Sequence, residues 1–245
     1  MIIYGVPFSQ PVRAVMWLML IKNFPFELRL INPGSSSEGG SRHPDYLKKF
    51  PTGTIPSLED PKTGFILSES HAIMCYLCNK YKWYDLYPSN LEDRAKVDSY
   101  LNLHHRNVRE ASIGLVAPKV RKDLKFSEDF LATSKANIEK AFNAIENGWL
   151  NDSSYLVGEA MTIADISAYV EIGQLQSIFT NVYNFEPYPN IRRWLDNMQN
   201  IECHDEIHVA LYELGDISKD APSMEIIINA NKKAYKVIQE KINNM

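Results

Sequence analysis

The feature that most constrains this chain of 245 residues is a change of pattern near Tyr81. Before it, short apolar stretches with strand character alternate with helical ones; from Leu91 onward no segment reads as a good strand. Residues 2–5 form a short apolar strand, and 11–22 read as a helix with Pro11 in its first turn, where the missing N–H does no harm. Residues 26–31 alternate, with Phe26, Leu28 and Leu30 set against Glu27 and Arg29, as a half-buried strand does. After a Gly/Ser-rich loop at 33–41, residues 44–49 suit a short helix. Residues 57–59 and 65–67 read as strands around an Asp-Pro-Lys-Thr-Gly turn, and Ser70 is expected to N-cap a helix reaching Tyr81.

Strand-helix-strand-helix-strand-strand-helix gives a small mixed sheet, parallel at first and closed by an antiparallel hairpin, with helices packed on it. Residues 82–90, with Trp83, Tyr84, Pro88 and Ser89, read as a linker. Helical stretches follow at about 91–120, 127–149, 162–180, 189–200, 204–214 and 223–242, with breaks expected at Pro118, 151–154, 186–189 and 215–222. The reading is an α/β unit over 1–81, a linker over 82–90 and an all-helical unit over 91–245.

Composition narrows the class of function. A net charge of −4 gives no electrostatic reason to expect nucleic acid or an anionic membrane as a partner. Three cysteines, an odd number, do not make a disulfide framework and fit a reducing, cytoplasmic setting. Met1–Gly5 reads as a strand and not as a signal peptide, and the longest apolar run, 12–21, is interrupted by Arg13 and falls short of the roughly 18 residues of a membrane span.

Three segments carry candidate chemistry. At the first strand-to-helix turn, Ser9-Gln10-Pro11-Val12 puts a serine at the head of a helix, where free N–H groups and the dipole favour an anion. Thioredoxin-like redox proteins carry Cys-x-x-Cys at such a turn; a serine there cannot exchange disulfides but can donate a hydrogen bond to another molecule's thiolate. A free thiol has a pKa of about 8.5, and lowering it by about two units takes roughly 2.7 kcal/mol. One hydrogen bond to a charged group supplies about 1.5–3 kcal/mol and a partly buried helix end up to about 2. A plain N-cap is the other reading of Ser9. In the second segment, Thr52-Gly53-Thr54-Ile55-Pro56-Ser57-Leu58, Pro56 opens a strand, its peptide bond is a cis candidate, and Ile55 could offer its backbone to an extended peptide. In the third, Glu69 and Ser70 stand at the head of a helix, suited to an amino-acid head group bearing both charges.

The order and spacing of these segments are far more specific than any one of them. Ser9 to Val15 (Ser-Gln-Pro-x-Arg-Ala-Val), Gly53 to Leu58 (Gly-x-Ile-Pro-x-Leu), Glu69 to Ile73 (Glu-Ser-x-Ala-Ile), Tyr87-Pro88 with Arg94 to Val97, and Leu156 to Asp165 together resemble the soluble glutathione transferases over roughly residues 1–200. The serine followed by Gln-Pro looks most like the theta class. The resemblance implies a thioredoxin-like N-terminal domain followed by an all-α C-terminal domain, and glutathione as a co-substrate with no further cofactor and no metal. It implies that Ser9 binds the glutathione sulfur, that Ile55 before Pro56 pairs with the cysteinyl backbone, and that Glu69 and Ser70 hold the γ-glutamyl head. Gln10 and Thr54 fall within the same glutathione-binding motifs, with Thr54 where the theta pattern tends to have lysine. Arg42 or His43 is expected to reach the glycyl carboxylate. Arg109 matches an arginine set near the sulfur, and Arg106 shares its helix face.

The implied activity is thiolate attack on hydrophobic electrophiles such as alkyl halides, epoxides, sulfates or peroxides, by a homodimeric enzyme. A non-catalytic binding or assembly module is the alternative, and a cysteine-type thiol–disulfide oxidoreductase a third reading that Ser9 opposes. The remaining motifs read as structural. Thr162 to Asp165 is a capping box, Cys75 and Cys78 sit in an apolar helix as core, and adjacent His104 and His105 point apart and make no metal pair. The stretch 224–245, with Ile226, Ile227, Ala230, Tyr235, Val237, Ile238 and Ile242 on one face, reads as a docked helix, with a lid over the site as its expected role and a dimer contact or a loose tail as the alternatives.

Overall fold

In the computed structural model, which describes residues 1–105, 107–121 and 124–245, the first eighty residues build a four-stranded sheet in the order β2-β1-β3-β4. The strands are β1 (Ile2–Gly5), β2 (Glu27–Leu30), β3 (Ser57–Asp60) and β4 (Phe65–Ser68). β1 and β2 are parallel, with Ile3 opposite Leu28, while β1–β3 and β3–β4 are antiparallel, with Tyr4 opposite Ser57 and Ser57 opposite Ser68. A parallel pair needs a crossover, and α1 (Gln10–Ile21) supplies it. Ten of its twelve residues are buried, so it is a core helix and not a surface one, which explains its nearly continuous apolar run. The short α2 (Pro44–Lys49) and α3 (Ser70–Tyr81) complete the unit.

This register brings the chain together at one end of the sheet. The C-terminal ends of β1, β2 and β4 and the N-terminal end of β3 lie side by side. The turns at 6–9, 31–34, 55–56 and 69–70 therefore converge there.

The second half is helical: α4 (Leu91–His104), a π-helical segment Ala111–Val116 running into α5 (Ala117–Val120), α6 (Glu128–Ala144) with a π-helical end Ile145–Trp149, α7 (Ile163–Ile172), α8 (Pro189–Gln199), α9 (His204–Leu214) and α10 (Met224–Asn243). Every residue of α7 is buried. It lies against α1, α3 and α4 and forms the centre of a core shared by both halves. The capping box at its start is present, with Thr162 and Asp165 bonded reciprocally. Asp165 also accepts from the Leu156 N–H at 2.8 Å and Trp194 Nε1 at 3.0 Å.

Three details differ from the sequence expectation. Glu69, not Ser70, is the N-cap of α3, and it holds a φ of 74° that non-glycine residues seldom adopt. The stretch 91–120 breaks after His104 and not at Pro118, which sits in the first turn of α5, where proline is tolerated. In α10 the buried stripe is Ala230, Ala234 and Ile238, with Ile226 turned out at 43% exposure. Arg106 lies outside the described residues. No described helix is long and apolar enough to cross a membrane.

Candidate functional site

A cavity of about 370 Å³ opens where the sheet's converging turns meet the π-helical segment and α5. Its sheet-side wall includes Phe8, Ser9, Gln10, Arg42, Gly53, Thr54 and Ile55. Its helical wall includes Arg109, Ser112, Ile113, Val116, Ala117, Val120 and Arg121. Among the described residues, Arg42, Arg109 and Arg121 are the charged members of this lining, and none is a carboxylate. A cavity so lined favours an anionic ligand.

Ser9 is the N-cap of α1, with φ −71° and ψ 124°, yet its side chain makes no capping hydrogen bond. Pro11 at the second helical position has no N–H to offer the serine oxygen, so one of the two usual partners of an N-cap is missing. The Ser9 main chain, in contrast, is fixed: its N–H donates to the Val6 carbonyl at 3.1 Å, and its carbonyl accepts from the Arg13 N–H at 2.9 Å. The result is an uncapped serine side chain on a fixed main chain at the wall of the cavity.

Behind Ser9 lies a buried polar chain. Gln10 Nε2 donates to Gln174 Oε1 at 2.8 Å, Gln174 Nε2 donates to Ser112 Oγ at 2.6 Å, and Ser112 Oγ donates to Glu171. Glu171 also pairs with Arg109. Arg13, fully buried, donates to the carbonyls of Phe8 at 2.6 Å and Val170 at 3.0 Å. Burial lowers its guanidinium to about 10 against the opposing pull of Glu171, so it stays charged at neutral pH. Arg109 is thus a paired cation on the cavity wall, placed in the turn after α4 and not on a solvated helix face.

Six of the ten sequence-derived residues line the cavity: Ser9, Gln10, Arg42, Thr54, Ile55 and Arg109. The Gln10 amide is engaged by Gln174. Arg42 and His43 divide clearly. Arg42 reaches the wall, with Nη1 3.1 Å from where a Cβ on Gly53 would stand, and Gly53 itself holds φ +62°. His43 instead caps α2, its Nδ1 accepting from the Asp45 N–H at 3.4 Å. The Ile55–Pro56 peptide is cis. Among the described residues neither the N–H nor the C=O of Ile55 has a main-chain partner, which leaves both open to an extended peptide. Pro56, Glu69 and Ser70 are not part of the cavity lining. Glu69, exposed, and Ser70, buried, stand beside Pro56 at the same end of the sheet.

The sequence reading missed Arg13, Ser112, Glu171 and Gln174 as parts of this site. One signal was available: Glu171 and Asp165 are the charged residues of an otherwise apolar helix, and a carboxylate buried there needs a partner. The other motifs are structural. Burial pushes the Cys75 thiol up to about 11 and Cys78 to about 12. His104 is buried against His71 and Tyr100, while His105 is exposed. Among the described residues no group of three or more His, Cys, Asp or Glu is placed to hold a metal. No residue of α10 lines the cavity, but Asn231 of this helix accepts from the N–H of Phe8, which does.

The comparisons with known proteins agree with this geometry. Residues 3–85 match the family described as glutathione S-transferase, N-terminal domain, and residues 110–202 match glutathione S-transferase, C-terminal domain. Bovine glutathione S-transferase theta-1 is 30% identical over 196 residues, covering 78% of this chain and 79% of that protein. The chain belongs to the glutathione S-transferase family. Within it the likeness is to theta-class members. Human glutathione transferase theta-2, solved in complex with glutathione and an unknown ligand, superposes with a TM-score of 0.74 at 25% identity, covering 99% of this chain and 98% of that one. Glutathione S-transferase T3 of Arabidopsis thaliana is 28% identical over 92% of this chain, which spans 41% of that longer protein. The thioredoxin-like sheet and the helical second half are those of the glutathione S-transferase fold.

Proposed function

We propose that this theta-like glutathione transferase binds glutathione along the sheet-side wall and holds its sulfur as a thiolate at Ser9. The uncapped Ser9 hydroxyl, in a cavity whose described lining has three arginines and no carboxylate, carries the reading. Arg42 suits the glycyl carboxylate, the free main chain of Ile55 suits the cysteinyl unit, and Glu69 with Ser70 suits the γ-glutamyl head. The thiol proton leaves to solvent. The thiolate then attacks an electrophilic carbon, forming a C–S bond as the bond to the leaving group breaks with its electron pair. The protein supplies position and charge stabilisation, not a covalent nucleophile. The apolar side chains Ile113, Val116 and Val120 on the helical wall favour hydrophobic electrophiles: alkyl halides, epoxides or arylmethyl sulfates. With an organic peroxide the thiolate attacks oxygen instead, releasing the alcohol and leaving glutathione sulfenic acid, which a second glutathione converts to the disulfide and water. Glutathione is a co-substrate, and no other cofactor is invoked.

A homodimer in the cytoplasm accompanies this reading. Phe65 and Ile66 on the edge strand β4, with Leu91 (83% exposed) and Leu103 on α4, leave apolar surface that a second copy would cover. The test is the ultraviolet absorbance of glutathione thiolate in the complex, titrated with pH. Loss of one hydrogen bond to a charged group, about 1.5–3 kcal/mol, raises the bound thiol's pKa by roughly one to two units in Ser9→Ala. An unchanged titration in that variant refutes the role of Ser9.

A further inference from the structure

Beside the buried stripe of α10 stands a half-buried polar residue with a long-range hydrogen bond. Ile227, Ala230, Ala234 and Ile238 face the core, and Asn231 lies among them. Its Nδ2 donates to the Ile227 carbonyl one turn back at 3.1 Å, which fixes the orientation of the amide. Its Oδ1 is thereby turned toward the first strand-to-helix turn, where it accepts from the Phe8 N–H at 3.0 Å, across 223 residues of sequence.

Phe8 immediately precedes Ser9. Its carbonyl accepts from Arg13 Nη1 at 2.6 Å, so both polar groups of the Phe8 main chain are held by side chains from elsewhere. Arg13 acts from the core side and Asn231 from the last helix. An asparagine on an apolar helix stripe is unfavourable unless it satisfies a group that would otherwise be stranded, and the part-buried Phe8 N–H is that group.

We propose that Asn231 is a positioning residue: it fixes the main chain ahead of Ser9 and so holds the serine hydroxyl where the glutathione sulfur must sit. This rests on the assignment of Ser9 above. α10 acts on the reaction from behind the catalytic turn, touching neither substrate. Small displacements of a reacting group carry large rate penalties, so the effect falls on turnover and thiolate formation more than on affinity.

The test compares Asn231→Leu, Ile238→Ala and Ser9→Ala in the full chain, reading bound-glutathione thiolate against pH, kcat, KM for glutathione and Tm. Ile238 is fully buried on the same stripe but makes no bond to the turn, so it reports what loosening α10 does by itself. The expected result for N231L is a thiolate pKa raised by roughly 0.4–1 unit and a kcat lowered roughly three- to tenfold, with KM for glutathione changed less than kcat. I238A is expected to lower Tm and leave the thiolate pKa in place. If N231L does not fold, Asn231→Ser, too short to reach Phe8, takes its place. A wild-type titration in N231L while S9A shifts overturns the proposal alone, as does an equal pKa shift in I238A. An unshifted S9A overturns the Ser9 assignment and this proposal with it.

Discussion

Replacing Arg109 by Gln strands a buried carboxylate. The Glu171 side chain is 2% exposed and that of Arg109 31%, so the glutamate cannot turn to water when its partner goes, whereas the arginine can. Removing one member of a buried pair costs about 3–5 kcal/mol. Ser112 still donates to Glu171 and Arg13 remains nearby, so the lower end applies, about 3 kcal/mol. For a chain of this size that is a fall in Tm of about 6–12 °C. Glu171→Gln leaves Arg109 free to reach solvent and Arg13 on its two carbonyls, and costs about 1–2 kcal/mol. Adding E171Q to R109Q then removes the stranded charge, so the double variant is more stable than R109Q alone. Thermal and denaturant unfolding of the four proteins measures this as a coupling energy. An R109Q variant within about 1 kcal/mol of wild type, or costs that simply add, refutes the reading of Arg109–Glu171 as a buried pair.

Two further outcomes follow from burial. His71 is held down to about 3, first by burial and then by His105, and burial also holds His104 and His208 well below the ordinary histidine range. The unfolded chain takes up protons at these positions below about pH 6.5 and the folded chain does not, so stability is full above that pH. It declines as pH falls toward about 3, by at most about 1.4 kcal/mol per pH unit for each histidine. A Tm flat between pH 7 and 5 contradicts this. Cys75 and Cys78, with thiols raised to about 11 and about 12, are expected to resist an aromatic disulfide reagent at pH 8 until the protein is unfolded; rapid labelling of the native protein contradicts it.

What the sequence revealed depended on whether the cause was local. The ends of β1, α2 and α9 were readable to the residue, because proline, glycine and a switch of period mark them. The break after His104 carries no such mark: residues 104–110 contain neither glycine nor proline, and the turn is set by packing. Pro118 gave the opposite error, since a proline looks the same whether it ends a helix or opens one. In the site, Ser9, Ile55 and Arg42 came from short motifs at turns. Which of Arg42 and His43 faces the cavity was settled by α2, whose N-terminus takes the histidine as its cap. Glu171 and Asn231 act across 62 and 223 residues, where no spacing rule applies. Glu171 was visible only as a charge out of place on a largely apolar helix, a sign that something must pair with it without saying what, whereas Asn231 stands among the many polar residues of α10 and carried no such sign.

The cavity is assembled from two kinds of part. The sheet side rests on strand ends, main-chain groups and a buried polar chain, each tied to several others, so a change there disturbs the core. The facing wall rests on Ile113, Val116 and Val120, whose side chains enter from a π-helical segment and the short helix after it. A library confined to those three positions therefore explores substrate scope at constant chemistry: descendants can exchange one electrophile for another while inheriting the same nucleophile.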